Sequence, residues 1–267
     1  MRHGSRPSAS HGGCNGRGVP RFRVMTYNVH RCLGPGGNDS LADIASLCDE
    51  AAADVIALQE LDAPETDDDT EGVHHARDLA AALRMQLLFC RTFRRGVGYY
   101  GHALLSRHPI ELVKVTTFPG LPREGSEPRG AIWARVARPD GGELDVISTH
   151  LGVYRGERAL QSRELVGPEW LGSDDLRRPC VVCGDLNALP HATTYRRLAG
   201  VLRDAQRQLS GHRPRPTFPS AWPVLRIDHV FVSDEIVVRG VSVPKDARAR
   251  RASDHLPLVV DLELPLR

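Results

Sequence analysis

The stretch Cys180-Val181-Val182-Cys183-Gly184-Asp185-Leu186-Asn187 decides how the rest of the chain is read. Four apolar residues make a strand signal, which stops at a glycine, a carboxylate and an amide. The same punctuation recurs elsewhere. Arg23–Tyr27 ends at Asn28, Val55–Gln59 at Glu60 and Leu144–Thr149 at His150. Asp228-His229 interrupts another apolar run, and Asp254-His255 stands just before Leu256-Pro257-Leu258-Val259-Val260. One carboxylate after one strand is ordinarily a turn or cap residue. Six such sites, all using Asn, Asp, Glu and His, ask for a shared reason, because an unpaired buried charge is costly. In layered α/β proteins, ligands bind at one sheet edge beyond the strand ends. Carboxylates, amides and one or two histidines suit a hard cation such as Mg2+ or Mn2+, which binds oxygen and keeps waters for substrate phosphates. The pattern predicts metal-assisted hydrolysis of a phosphate ester.

Outward from this stretch, strand and helix signals alternate. Phe22–Tyr27 reads as a strand. Ser40 reads as the cap of a helix starting at Leu41, with Asp43 as its partner, and Leu41, Ile44, Ala45, Cys48 and Ala52 recur at helical spacing. Val55–Leu58 is apolar on both faces and predicts a strand buried between layers. Ala63–His75 is an acidic loop, and Ala76–Met85 a helix with Leu79 and Leu83 inward. Strands are expected at Leu87–Cys90, His102–Ser106, Ala131–Val136 and Leu144–Thr149, the last two joined at Asp140-Gly141-Gly142. Pro119–Pro128 is a loop, and Arg158–Leu165 a helix broken at Gly167-Pro168. Cys180–Cys183, Ile227–Val232, Val237–Val243 and Leu256–Leu264 complete the strands. Hairpin and crossover connections together predict one α/β domain over residues 21–267, with mixed sheets covered by helices. Residues 1–20, rich in Gly, Ser, Arg and His, are expected to be a flexible tail.

Composition bounds the partners. The 267 residues are 41% hydrophobic and 25% charged, as in soluble globular proteins. No run approaches the roughly 20 apolar residues of a membrane span. Residues 1–20 lack the apolar core of a signal peptide, so a cytoplasmic protein is expected. With 35 Lys+Arg against 33 Asp+Glu, the chain is no histone-like polyanion binder. Only Lys114 and Lys245 are lysines, and the guanidinium groups that replace them suit phosphate. The six cysteines follow no disulfide spacing. Cys180 and Cys183 lie on one strand, where alternate side chains diverge, and no second Cys pair accompanies them, which argues against zinc or redox chemistry. His74-His75 are poorly placed to converge on a metal.

The ordered motifs carry a resemblance. Thr26-Tyr27-Asn28-Val29, Leu58-Gln59-Glu60, Ala103-Leu104-Leu105-Ser106-Arg107, Glu127-Pro128-Arg129-Gly130, Ser148-Thr149-His150-Leu151, Cys183-Gly184-Asp185-Leu186-Asn187, Ile227-Asp228-His229-Val230-Phe231 and Ser253-Asp254-His255 resemble the endonuclease/exonuclease/phosphatase family, from about Arg23 to Leu264. Glu157-Arg158 with Gln161, and Thr217-Phe218-Pro219-Ser220, resemble its bacterial metal-dependent hydrolase branch. The resemblance implies a four-layered α-β-β-α sandwich with two mixed β-sheets. It implies Glu60 as the main ligand of Mg2+ or Mn2+, with Asn28 and Asp254 completing the site. Asp185 would orient or deprotonate the attacking water. Asn187, His150 and Arg129 would bind the phosphate, and Asp228 with His255 would form a dyad whose protonated ring meets the developing charge. No covalent intermediate is implied. His30 stands where several relatives carry Asp, and His102 where close bacterial relatives carry Asn; a structural role is expected for His102.

Substrate class is a separate question, since one catalytic core serves many phosphate esters. The leading expectation is a monomeric nuclease acting on DNA or RNA, motivated by Arg129, Arg94-Arg95 and the basic run Lys245–Arg251. The alternative is a phospholipid, sphingomyelin-type or small-molecule phosphoesterase, with Phe118, Leu121, Phe218 and Trp222 as an apolar rim. Tyr99 and Tyr100 read as packing or surface residues. A catalytically inactive binding module is disfavoured, because every catalytic position holds a competent residue.

Overall fold

Neighbouring residues of each apolar run go to two different cores, and this is why the runs are apolar throughout. In Cys180–Cys183, Val181 and Cys183 join a core shared with Leu58 and Leu104, while Cys180 and Val182 face Leu165, Trp170 and Leu198. The Cys180/Cys183 pair is thereby split across a sheet. The computed structural model describes residues 21–65, 73–118, 120–122 and 125–266. The expected tail at 1–20, residues 66–72 of the acidic loop, and Pro119, Arg123 and Glu124 of the Pro119–Pro128 loop lie outside the described residues.

The strands are β1 (Arg21–Asn28), β2 (Val55–Pro64), β3 (Gln86–Arg95), β4 (Gly98–Ser106), β5 (Ile110–Phe118), β6 (Arg129–Ala137), β7 (Glu143–His150), β8 (Cys180–Asp185), β9 (Arg203–Asp204), β10 (Asp228–Val232), β11 (Val237–Ser242) and β12 (Leu258–Glu263). The helices are α1 (Leu41–Ala51), α2 (His75–Leu83), α3 (Arg155–Leu165), α4 (Thr193–Ala199), α5 (Ala205–Gln208) and α6 (Ala247–Ala252). They build two six-stranded sheets, ordered β11-β12-β1-β2-β4-β3 and β5-β6-β7-β8-β10-β9. Both are mixed: β1/β2 and β7/β8 are parallel, and the other pairs antiparallel. Ile44, Leu47 and Cys48 of α1 and Leu79 and Leu83 of α2 pack on the first sheet. Leu165 and Leu198, from α3 and α4, pack with Trp133, Ile147 and Phe231 of the second. This is the four-layered α-β-β-α sandwich. No helix among the described residues is long and apolar enough to cross a membrane.

Two parallel pairs set the functional edge, because parallel neighbours end on the same side. Asn28 is in register with Gln59, and His150 with Asp185. Asp228, the first residue of antiparallel β10, faces Asp185. In β2 the ladder with β4 slips between Leu58 and Leu61, so Gln59 and Glu60 together oppose His102. This bulge turns Glu60 to φ +63°, an uncommon conformation for a residue with a side chain. Gln59 stays inside, exchanging hydrogen bonds with Thr26 at 3.2–3.3 Å.

Several local readings change. Ser40 does not cap α1 through its side chain: its hydroxyl donates to the Ala252 carbonyl at 2.6 Å, and Asp39 accepts from Leu41 N–H instead. β2 continues through Pro64, shortening the acidic loop, and α2 starts at His75. The basic run Lys245–Arg251 runs into α6 (Ala247–Ala252). β5, with Glu111, Lys114 and Thr117 along it, is an additional edge strand.

Gly184 pairs with Thr149 across the parallel β7/β8 ladder. It has φ +146°, and an ideal Cβ there would lie 1.8 Å from the Thr149 carbonyl oxygen. Gly184→Ala should therefore force β7 and β8 apart between His150 and Asp185. Urea unfolding should show a loss of about 2–4 kcal/mol, with an unchanged midpoint counting against this packing account.

Candidate active site

Asn28 closes the site from the first sheet. Its side-chain amide donates to Glu60 Oε1 at 3.0 Å and to Asp185 Oδ2 at 3.0 Å. Its Oδ1 accepts from the His30 backbone N–H at 3.1 Å. The turn after β1 thereby orients the amide. His30 itself turns its Nδ1 to the Leu33 carbonyl at 3.1 Å. Ser253 ties the C-terminal loop to the same point, donating from Oγ to the Asn28 carbonyl at 2.8 Å and accepting from His255 N–H at 3.2 Å. Asp254 lies between these two anchors, half-buried, with its Oδ1 3.4 Å from Ser253 Oγ.

The second sheet supplies the rest. His150 Nε2 lies 3.6 Å from Asp185 Oδ2 and 4.0 Å from Glu60 Oε1. His255 Nε2 lies 3.8 Å from the same Asp185 oxygen, and its Nδ1 donates to Asp228 Oδ2 at 2.9 Å. Asn187, at φ +48° just beyond Asp185, places its amide 3.3 Å from His150 Nε2 and 3.0 Å from the Leu151 carbonyl. Its backbone N–H donates to Asp185 Oδ1 at 2.8 Å. Arg129 is buried, with Nη1 3.5 Å from His150 Nδ1, Nη2 3.0 Å from Glu127, and its guanidinium over the Tyr100 ring. The structure thus gathers Asn28, Glu60, Arg129, His150, Asp185, Asn187, Asp228, Asp254 and His255 at one edge of the sandwich.

Burial and neighbours drive the two histidines to opposite states. Burial first, then Arg129, His102 and His255, hold His150 well below its ordinary pKa. Arg129 faces Nδ1 and the Asn187 amide nitrogen faces Nε2, and both can only donate, so a neutral His150 ring accepts from one of the two. For His255, burial opposes protonation, but Asp228, reinforced by Asp185 and Asp254, overcomes it and raises the imidazole. Asp185 is raised by burial and then by Asp228, with His255 opposing.

The donor set fits a hard divalent cation. Glu60, Asp185 and Asp228 offer carboxylate oxygen, and Asp228 Oδ1 is buried without a hydrogen-bond partner. Asp185 meets amides and imidazoles rather than a fixed cation. The tightest convergence of His, Cys and carboxylate ligand atoms among the described residues is Asp185, Asp228 and His255, all within 4.8 Å. That group overlaps the neighbourhood of the predicted ligands Asn28, Glu60 and Asp254 without coinciding with them.

Other singled-out residues fall elsewhere. His229 points away from Asp228's side of the strand, donating from Nε2 to the Ala188 carbonyl at 2.8 Å; burial, then Arg226, lowers it to about 4. His102 is buried opposite the bulge, and burial, then Arg129, lowers it to about 3. His74 accepts from Arg77 N–H as a helix cap, and His75 Nδ1 accepts from Asp62 N–H. The basic run is spent on structure: Arg248 and Arg251 pair with Asp43 and Glu50 of α1, and Arg250 donates to the Lys245 and Ser220 carbonyls. Arg94 pairs with Glu65. Phe118 is buried against Trp170 and forms no rim, whereas Trp222 is 82% exposed.

Thr217, read as a branch marker, and Phe218, read as a branch marker and as part of an apolar rim, lie against the site. Thr217 Oγ1 donates to Asp228 Oδ2, and the Phe218 ring lies 4.7 Å from the His255 ring. The signal was the motif itself, since its partners lie far off in sequence.

A model of the Endonuclease/Exonuclease/phosphatase family matches residues 25–255. The Escherichia coli (strain K12) protein YbhP, itself uncharacterised, is 26% identical over 250 residues, which cover 91% of this chain and 96% of YbhP. An endonuclease/exonuclease/phosphatase from Beutenbergia cavernae DSM 12333 superposes with TM-score 0.70 at 25% identity, covering 91% of this chain and 72% of that one. The human Nocturnin catalytic domain with bound sulfate anion shares the fold, with TM-score 0.71 at 23% identity over 92% of this chain and 94% of that one. With the family's motifs in order and its model spanning the described core, the chain belongs to the endonuclease/exonuclease/phosphatase family.

Proposed function

We propose that the chain is a divalent-metal-dependent phosphodiesterase that cleaves DNA or RNA by in-line attack of water. Members of its family are phosphoester hydrolases. One observation carries the reading: two imidazoles face the same Asp185 oxygen from 3.6 and 3.8 Å, while Asn28 ties that oxygen to Glu60.

Glu60, with Asn28 and Asp254, would hold Mg2+ or Mn2+, which when bound supplies Lewis-acid stabilisation of charge on phosphate and leaving oxygens. Asp185 accepts a proton from the attacking water, and its raised pKa makes it the stronger base for doing so. Asn28 and Asn187 fix the two oxygens of Asp185, so the carboxylate cannot rotate away. His255, kept protonated by Asp228, donates to the phosphate as negative charge builds. His150 and Asn187 face the phosphate from the second sheet, with Arg129 holding the His150 ring from behind. Thr217 and Phe218 position the Asp228–His255 pair. The same proposal includes action as a cytoplasmic monomer.

A second reading, a lipid or small-molecule phosphoesterase, is favoured by Trp222 and Val224, which are 82% and 72% exposed on the loop that follows Phe218. Exposed aromatics of this kind can meet a membrane surface. The nuclease reading stands first because Arg129 lies against His150 within the site, whereas exposed Trp222 lies on a loop beyond it.

Replacing Glu60 by Gln should lower turnover of bis-p-nitrophenyl phosphate by ~10²–10³-fold, while thermal unfolding stays at or above the wild-type midpoint because one of several crowded carboxylates is neutralised. EDTA should silence the wild type and added Mg2+ or Mn2+ restore it. Full activity in the Gln variant would remove Glu60 from the proposed site. On natural substrates, plasmid or single-stranded DNA should be cleaved at a rate that falls steeply with added salt; hydrolysis of phospholipid vesicles with intact DNA would favour the second reading.

A further inference from the structure

The phosphate position opens on one side into a cleft of about 800 Å³ that begins at Asn187 and the Phe218 ring. Arg155 and Arg158 of α3 and Arg196 of α4 form one wall, and Phe218, Leu225 and Ile227 part of another. Among the described residues, no Asp or Glu lines it. Arg155 and Arg196 are exposed and, among the described residues, hold no ion pair. Elsewhere several surface arginines are paired, Arg94 to Glu65, Arg177 to Glu143, Arg239 to Glu263 and Arg251 to Asp43, whereas the cleft offers Arg155 and Arg196 no such counter-charge among the described residues. Unneutralised guanidinium groups sharing one cavity repel each other and raise its positive potential, an arrangement that suits an incoming anion. Guanidinium recognises phosphate by paired, directional hydrogen bonds.

We propose that this cleft is a subsite for the nucleotide adjoining the scissile phosphate, holding a second phosphate on the arginine wall and its unpaired base on the apolar wall. The assignment rests on the phosphodiesterase reading and names the substrate within it as single-stranded. A volume of about 800 Å³ is that of a small-ligand pocket rather than a groove that tracks a long duplex. A base seated against Phe218 and Leu225 must present a free face, which a single strand offers and a stacked duplex withholds. The wall also continues directly into the site, because Phe218 packs on His255.

The test uses the dinucleotide d(TpT), its 5′-phosphorylated and 3′-phosphorylated forms, and bis-p-nitrophenyl phosphate, which has no second phosphate. For the wild type, one phosphorylated form should show a KM at least ~10-fold below that of d(TpT), in line with the strength of charge-assisted phosphate contacts. In the double variant Arg155→Ser/Arg196→Ser this preference should disappear, with turnover of bis-p-nitrophenyl phosphate unchanged. Binding of the preferred dinucleotide to the Glu60→Gln protein, followed by calorimetry, should weaken by a similar factor when the two serines are added. A double variant that keeps the preference and the affinity overturns the subsite while leaving the hydrolase reading intact. Absence of bis-p-nitrophenyl phosphate hydrolysis by the wild type, with the arginine-dependent binding still present, overturns the catalytic reading and leaves the subsite standing. Equal affinity for a sugar bisphosphate overturns the nucleotide assignment.

Discussion

The side-chain amide of Asn28 donates to Glu60 and to Asp185, both at 3.0 Å, and through it the first sheet is joined to the second at the edge where both end. Each carboxylate comes from a different sheet, so neither could be held against the other without a neutral group that offers two donors. An amide at the end of β1 does this without adding charge. The parallel pairing of β1 with β2 and of β7 with β8 places the carboxylates; Asn28 sets the distance between them. Hydrogen bonds from His30 and Ser253 to Asn28 in turn anchor the amide to both its own turn and the C-terminal loop. An isosteric Asp at this position would place a third carboxylate between two others, which the local electrostatics disfavour.

The same crowding explains why two histidines in one site behave differently. Burial first, then Arg129, lowers His150, whereas Asp228 overcomes the burial of His255 and raises it. Neither state is a property of the residue type. One site therefore holds two imidazoles pushed in opposite directions by their surroundings, an assignment of acid–base roles by environment.

Much of this was legible in sequence, for a physical reason. Strands buried on both faces are apolar at most positions, so carboxylates and amides concentrate at their ends, and the ends along one edge form the candidate site. Asn28, His150, Asp185 and Asp228 were visible on that ground alone. What lay outside the rule was less visible. The bulge that turns Glu60 inward leaves no mark in Leu58-Gln59-Glu60, because only the pairing with β4 reveals it. β5 escaped notice because an edge strand with Glu111, Lys114 and Thr117 along it lacks the continuous apolar signal. α6 was hidden because a short helix of alanine and arginine buries only Ala249 and Ala252. Thr217 touches Asp228 across a loop and a sheet edge, a contact that no local pattern encodes.

Charge placement gave the least faithful signal. Lys245–Arg251 is the densest basic run in the chain, yet its arginines lock α6 to α1 and to nearby carbonyls. Arg155 and Arg196, on two helices and far apart in sequence, both line the cleft beside Asn187, whereas Arg158 between them donates to the Gly152 and Val153 carbonyls. A run of like charges in a folded chain is costly unless each member finds a counter-charge, so dense runs tend to be neutralised within the fold. Isolated cations can stay uncompensated at smaller cost, and only the packing of α3 beside α4 makes them act together. The charges available to a substrate are therefore those left over after the fold has used the others, and they are found by subtraction on the structure rather than by counting along the sequence.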